Sequence, residues 1–161
     1  MQVPVVNDKD EVIGYKDRSL LDYENDIFRS ASLWITNSRG DVLLAQRKKD
    51  KKVEPERWGE AVGGTVEGAD SYESTVIRES EEELGLKNIN IQIGPKQFIS
   101  NSAKYFVQWY TAVIDLPIES FELQDDEVEQ IAWIPLRQLK QEITEYPEKY
   151  ISALKEAVDL F

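Results

Sequence analysis

Apolar and polar positions alternate in short runs along most of the chain. One stretch near the middle and two at the end follow a helical period instead. Val3, Val5 and Val6, a polar Asn7-Asp8-Lys9-Asp10, and Val12-Ile13-Gly14-Tyr15 predict a hairpin over residues 2 to 15. Residues 16 to 27 are polar and mixed and read as a loop. Phe28 to Thr36 and Asp41 to Gln46 predict two strands joined by the turn Asn37-Ser38-Arg39-Gly40, a second hairpin. Pro55 to Trp58 reads as a loop, and Glu60-Ala61-Val62 as a short strand. Ile89-Asn90-Ile91-Gln92-Ile93 alternates like a strand ended by Gly94-Pro95, and Gln97 to Ser100 offers another. Lys104 to Ile114 is rich in aromatic and β-branched residues and predicts a central strand. Ile131 to Ile134, stopped by Pro135, is the last strand, and helical patterns over 136 to 143 and 147 to 160 close the chain. With no internal repeat and no linker, residues 1–161 read as one domain.

The central helical stretch spans Ser71 to Leu84, with two glycines before it and Gly85 after it. Gly85 is placed to end the helix in a left-handed conformation. At 3.6 residues per turn, Val76, Ile77, Ser80 and Leu84 share a mostly apolar face that packs on a core. Glu79, Glu82 and Glu83 fall at i, i+3 and i+4 on another face. Carboxylates crowded on one turn repel each other unless a cation neutralises them, and their hard oxygens suit Mg²⁺ or Mn²⁺. A run of glutamates alone would read as a solvated acidic helix.

Composition narrows the chemistry. There is no cysteine and no histidine, so thiolate chemistry, disulfides and a histidine general base are excluded. Any catalysis rests on carboxylates, Lys, Tyr, Ser, Thr or a metal. A net charge of −12 repels phosphate backbones and argues against duplex nucleic acid as a partner. No apolar run approaches a membrane span and the N-terminus lacks a signal-peptide pattern, so a cytoplasmic location is expected. Within this acidic chain, Arg47-Lys48-Lys49-Asp50-Lys51-Lys52 is the one positive cluster. Such runs are commonly solvated loops, but its place between a strand and the glycine-rich turn favours an anchor for phosphate.

Residues 64–86 resemble the Nudix box: Gly, five residues, Glu, seven residues, Arg-Glu-U-x-Glu-Glu-x-Gly-U, with U a bulky aliphatic residue. The chain has Gly64, five residues, Asp70, seven residues, then Arg78-Glu79-Ser80-Glu81-Glu82-Glu83-Leu84-Gly85-Leu86. Asp70 replaces the Glu and keeps the charge, and Ser80 replaces the first aliphatic residue. With Arg78, Glu79, Gly64 and Gly85 all in register, the solvated-helix alternative recedes. Further segments resemble isopentenyl-diphosphate isomerases and their Nudix relatives: the opening Val-Asn-Asp-Lys-Asp-Glu-Val-Ile-Gly-Tyr, the stretch Trp34 to Leu44, and Asp125-Asp126-Glu127-Val128 followed by Trp133. Those isomerases need a catalytic cysteine and metal-binding histidines. Gly63 stands at the cysteine position, and Thr65 and Phe28 stand at two histidine positions.

The resemblance implies an α/β/α sandwich with a mixed central sheet, an N-terminal β-hairpin and C-terminal helices. It also implies a pyrophosphohydrolase, MutT-like, that acts on a nucleoside diphosphate linked to a further group. By the family pattern, Glu79, Glu82, Glu83 and the carbonyl of Gly63 bind Mg²⁺, with Mn²⁺ able to substitute. A box glutamate or a later one, Glu127 or Glu129, takes a proton from the attacking water. The acidic segment holding Glu127 and Glu129 reads equally as a solvated loop. Arg47 and Lys51 match the residues that contact diphosphate in the isomerases. Arg78 is expected to hold Asp70 or a box carboxylate. Trp34, Phe98, Tyr105 and Trp109 could stack on a base, although alternate strand positions must also face the core. The alternatives are a non-catalytic nucleotide-binding Nudix module and an isomerase-like enzyme on a prenyl diphosphate.

Overall fold

The computed structural model of the chain describes residues 1–51, 54–101 and 103–161. Lys52, the last residue of the basic run, lies outside them. One mixed sheet organises the molecule, with nine strands among the described residues. Strands β1 (Gln2–Val6) and β2 (Val12–Asp17) form the expected antiparallel hairpin at one edge, with Pro4 opposite Tyr15. β1 meets the central strand β3 (Ile27–Thr36) through Val6 and Ile27. β3 then runs parallel to β8 (Lys104–Val113) over its whole length. β8 pairs antiparallel with β7 (Gln92–Ser100), and β4 (Asp41–Arg47) pairs antiparallel with β9 (Val128–Pro135).

Alternation along the inner strands sorts side chains into two cores. On one face Leu33, Ile35, Leu43, Tyr110 and Ala112 pack with Val76 and Leu84 of helix α1 (Tyr72–Leu84). On the other, Trp34, Val42, Leu44, Val107 and Trp109 pack with Leu139 and Ile143 of α2 (Leu136–Glu145) and Leu154 and Ala157 of α3 (Ser152–Ala157). Both faces of β3 are covered, so its end reads as an unbroken apolar run, as a parallel inner strand requires. The result is the expected α/β/α arrangement. No helix among the described residues is long and apolar enough to cross a membrane.

The structure corrects four expectations. The Phe28–Gln46 pair is a hairpin only at its turn. Only Thr36 and Val42 pair, because β3's remaining length is taken by β8 on one edge and by β6 (Val62–Thr65) on the other, so β4 peels away. Gly94-Pro95 does not end a strand: β7 begins at Gln92 and passes through a bulge there. A bulge tolerates proline's missing donor, and Gln108 Nε2 satisfies the Gly94 carbonyl at 2.9 Å. Ile77 is exposed rather than packed, and buried Thr75 takes its place on the core face of α1. The helix expected over 147 to 160 is broken, since Tyr150 and Ile151 run extended beside β5 (Trp58–Glu60), where Ile151 N donates to the Trp58 carbonyl at 2.9 Å.

The N-terminal hairpin is fastened to the box helix through Asp10. This residue sits at the turn with φ of 62° and accepts hydrogen bonds from Arg29 Nε, Tyr72 Oη and Lys96 Nζ. Burial alone would raise the Asp10 carboxyl, but these three donors outweigh it and hold it below its ordinary value.

Candidate active site

The site lies where β3 and β4 part. Residues 58–65 cross the opening. They pair first with β4, where Leu44 faces Glu60, and then with β3, where Leu33 faces Val62 and Ser32 faces Gly63. At this crossing the box helix lies against the sheet through Glu79 and Glu83. A β-carbon on Gly64 would overlap the Glu79 carboxylate, and one on Gly63 would sit 3.0 Å from Glu60 Oε1 and 3.2 Å from Ser32 Oγ. A side chain at either glycine would therefore push the Glu79 or Glu60 carboxylate out of its present place. The bare backbone lets carboxylates approach from both sides.

Helix α1 aims those carboxylates. Ser71 caps its first turn and accepts from the Ser74 amide at 3.0 Å. Gly85, at φ of 68°, ends it, with its amide bonded to the Glu81 carbonyl and the next amide to Ser80. The Ser80 hydroxyl, fully buried, is satisfied by donating to the Val76 carbonyl at 2.6 Å. This is why serine is tolerated where the box has an aliphatic residue.

The three glutamates on the outer face have different surroundings. Glu83 reaches toward the crossing and accepts from the Gly63 amide at 3.1 Å. Burial pushes its carboxyl up to about 8, opposed by that hydrogen bond and assisted by Glu79, Glu127 and Glu60. Glu79 lies over Gly64, and burial raises its carboxyl although Arg78 pairs with it at 3.0 Å. Glu82 is half exposed and also paired to Arg78 at 3.0 Å. Arg78 reaches Asp70 at 3.6 Å as well, the bracing role expected of it. Among the described residues, no three acidic side chains converge closely enough to hold a metal as they stand. Arg78 draws Glu79 and Glu82 toward itself.

Sequence reasoning passed over Glu60. Its Oε1 accepts from Ser32 Oγ at 3.1 Å, while its Oε2 is buried without a partner. Burial raises its carboxyl. The available signal was one acid within the small and apolar run Trp58-Gly59-Glu60-Ala61-Val62-Gly63-Gly64.

The basic run folds back against the acidic loop. Lys51 pairs with Glu127, Lys48 pairs with Glu129 at 3.2 Å, and the Lys48 amide donates to the Glu127 carbonyl at 3.4 Å. Arg47, Lys51, Glu60, Gly63, Glu83 and Glu127 together line an open cleft of about 660 Å³. Glu79 and Glu82 do not line it. Of the four aromatics considered, Trp34 and Trp109 are core, Phe98 packs on Phe106 at 5.0 Å, and Tyr105 borders the cleft. The donors gathered here are hard oxygens, with an orphaned buried oxygen on Glu60 and, on Glu83, a carboxyl whose pKa is raised by burial first and by neighbouring acids second. That set is short of positive charge and fits a hard divalent cation.

A mixed sheet between helical layers, with a glycine-opened acidic helix beside a cleft of carboxylates and cations, is the form of a Nudix protein. The chain belongs to the Nudix hydrolase family: the NUDIX domain model matches residues 26–154. An uncharacterized Nudix hydrolase of Pseudomonas aeruginosa, PA4841, is 28% identical over 130 residues, covering 80% of this chain and 75% of the relative. Among solved structures, DR0079 from Deinococcus radiodurans superposes with a TM-score of 0.85 at 23% identity, covering 99% of this chain and 98% of that one. The NUDIX domain of Shewanella oneidensis NrtR, complexed with ADP ribose, superposes with a TM-score of 0.62 at 18% identity, covering 90% of each.

Proposed function

We propose that this Nudix enzyme hydrolyses the diphosphate bond of a nucleoside diphosphate linked to a further group, with Mg²⁺ as cofactor or Mn²⁺ in its place. One observation carries the reading: Glu83 of the box helix and Glu60 of the crossing strand share a single cleft with Arg47 and Lys51, and Glu79 and Glu82 stand within about one turn of Glu83 along the same helix. Glu79, Glu82, Glu83 and the Gly63 carbonyl would hold the cation, joined by Glu60 through its unpartnered oxygen. The chemistry supplied by such a cation is neutralisation of the diphosphate and activation of water.

The chain's own residues do the rest. Arg47 offers a planar fork to phosphate oxygens and Lys51 a mobile point charge. Lys51 is paired to Glu127 before substrate arrives. When Lys51 turns to the diphosphate, Glu127 loses its partner and becomes the base that takes the proton from the attacking water. The water oxygen bonds to one phosphorus, the bond from that phosphorus to the bridging oxygen breaks, and the bridging oxygen leaves with the electron pair as part of the other phosphate, while the proton of the water passes to Glu127. The NrtR domain complexed with ADP ribose supports a nucleoside diphosphate derivative as the substrate class.

The test is a hydrolysis panel with Mg²⁺ and Mn²⁺ over nucleoside di- and triphosphates, nucleotide sugars, ADP-ribose, dinucleoside polyphosphates and isopentenyl diphosphate. At least one nucleotide should be cleaved, with activity lost in EDTA and in Glu82→Gln, and the prenyl compound should not be isomerised. A panel inert throughout would overturn the reading.

A further inference from the structure

The cleft has an outer end that the hydrolytic residues leave unused. Ser30 and Ser32 project from β3 on the α3 side of the sheet, and across the parallel ladder Phe28, Ser30 and Ser32 face Tyr105, Val107 and Trp109. Ser32 donates to Glu60 at 3.1 Å and Ser30 donates to the Gly64 carbonyl at 3.0 Å. Two small side chains on the floor, both already hydrogen-bonded, leave open space between the crossing and Tyr105. Tyr105 borders that space. Phe28 stacks beside it, with ring centroids 5.2 Å apart and planes 16° apart, which fixes the ring in place. The Tyr105 hydroxyl has no hydrogen-bond partner among the described residues, so packing alone would be served by phenylalanine. The cleft volume of about 660 Å³ is in the range of nucleotide pockets.

We propose that Tyr105 is the specificity wall of a nucleoside subsite, where its hydroxyl donates to an acceptor on the ribose or base while the diphosphate lies among Arg47, Lys51 and the carboxylates. The assignment rests on the hydrolase reading above and adds to it the place and the residue that recognise the organic half of the substrate. Burial, with Glu60, Glu156 and Glu54 nearby, raises the hydroxyl's pKa, so it acts as a donor throughout the working pH range.

The test compares Tyr105→Phe, which keeps the ring and the packing on Phe28, with Tyr105→Leu, which removes ring and hydroxyl. Thermal unfolding confirms that each folds. KM for the cleaved nucleotide should rise about fivefold in the Phe variant, the worth of one hydrogen bond, and by more than tenfold in the Leu variant. In both, kcat should stay within twofold, and the inhibition constant of inorganic pyrophosphate, which has no nucleoside, should not change. An unchanged KM in both variants, or an equal loss for pyrophosphate, overturns the proposal. If no nucleotide is cleaved, calorimetric titration with the same nucleotides separates the two ideas. Binding weakened in the variants keeps the subsite while the hydrolase reading falls, and binding equal in all three proteins, or absent from all, sinks the subsite too.

Discussion

Glu83 sits under opposing demands. Its carboxylate is the acceptor for the Gly63 amide, yet burial and three neighbouring acids favour its protonated form. A carboxyl raised in the folded state contributes stability that is complete below its unfolded pKa and is lost as pH rises through the folded value. In metal-free protein, stability should therefore decline between about pH 4.5 and pH 8, the interval from the ordinary value of a glutamate to that of the buried group. Glu83→Gln keeps the acceptor without the charge. Its thermal midpoint in EDTA should match the native protein near pH 5 and exceed it increasingly toward pH 8. A constant gap across that range would show that Glu83 titrates normally. The helix wheel made Glu83 legible as one of three like residues, but not its difference from Glu79 and Glu82, because that difference is made by Arg78 and by the amide of Gly63. Glu60 was illegible for a related reason. Its importance comes from Ser32, 28 residues away in sequence.

At the scale of elements, helix α1 was readable almost to the residue because its signals are local: a capping serine, a left-handed glycine and an apolar stripe between them. What could not be read was what its C-terminal end holds. The Glu122 amide donates to the Leu84 carbonyl at 3.1 Å and the Gln124 amide to the Glu83 carbonyl at 3.1 Å, so the loop carrying Glu127 hangs from the last turn of this helix. The two caps should then fail differently. Ser71→Ala removes an N-cap and should cost about 1 kcal/mol, with turnover unchanged. Gly85→Ala should cost about 1 kcal/mol or more, from positive φ and a β-carbon built 2.7 Å from that of Glu122. It should also lower turnover by displacing the acidic loop. Denaturant unfolding and kcat measured on both variants check this, and equal turnover would mean that the loop is placed by something else. The misread β7 and the misread hairpin share one cause: periodicity reports which residues alternate, while edge partners come from distant strands.

Across the whole molecule, few of the contacts that define the cleft are local. The crossing at residues 58–65 needs β4 on one side and β3 on the other, and β3 takes its place through a parallel ladder to residues 104–113. The extended Tyr150–Ile151 segment, near the end of the chain, then docks on Trp58. Pairings of such sequence separation form slowly, because the loop must close before the contact is rewarded. The split between β3 and β4 therefore has a kinetic meaning as well as a spatial one. On dilution from denaturant, the far-ultraviolet signal of the locally coded helix should return first. Cleavage activity should lag behind it, arriving only with the latest long-range strand pairings, so the chain spends part of its folding time with its box helix formed and no catalyst yet assembled.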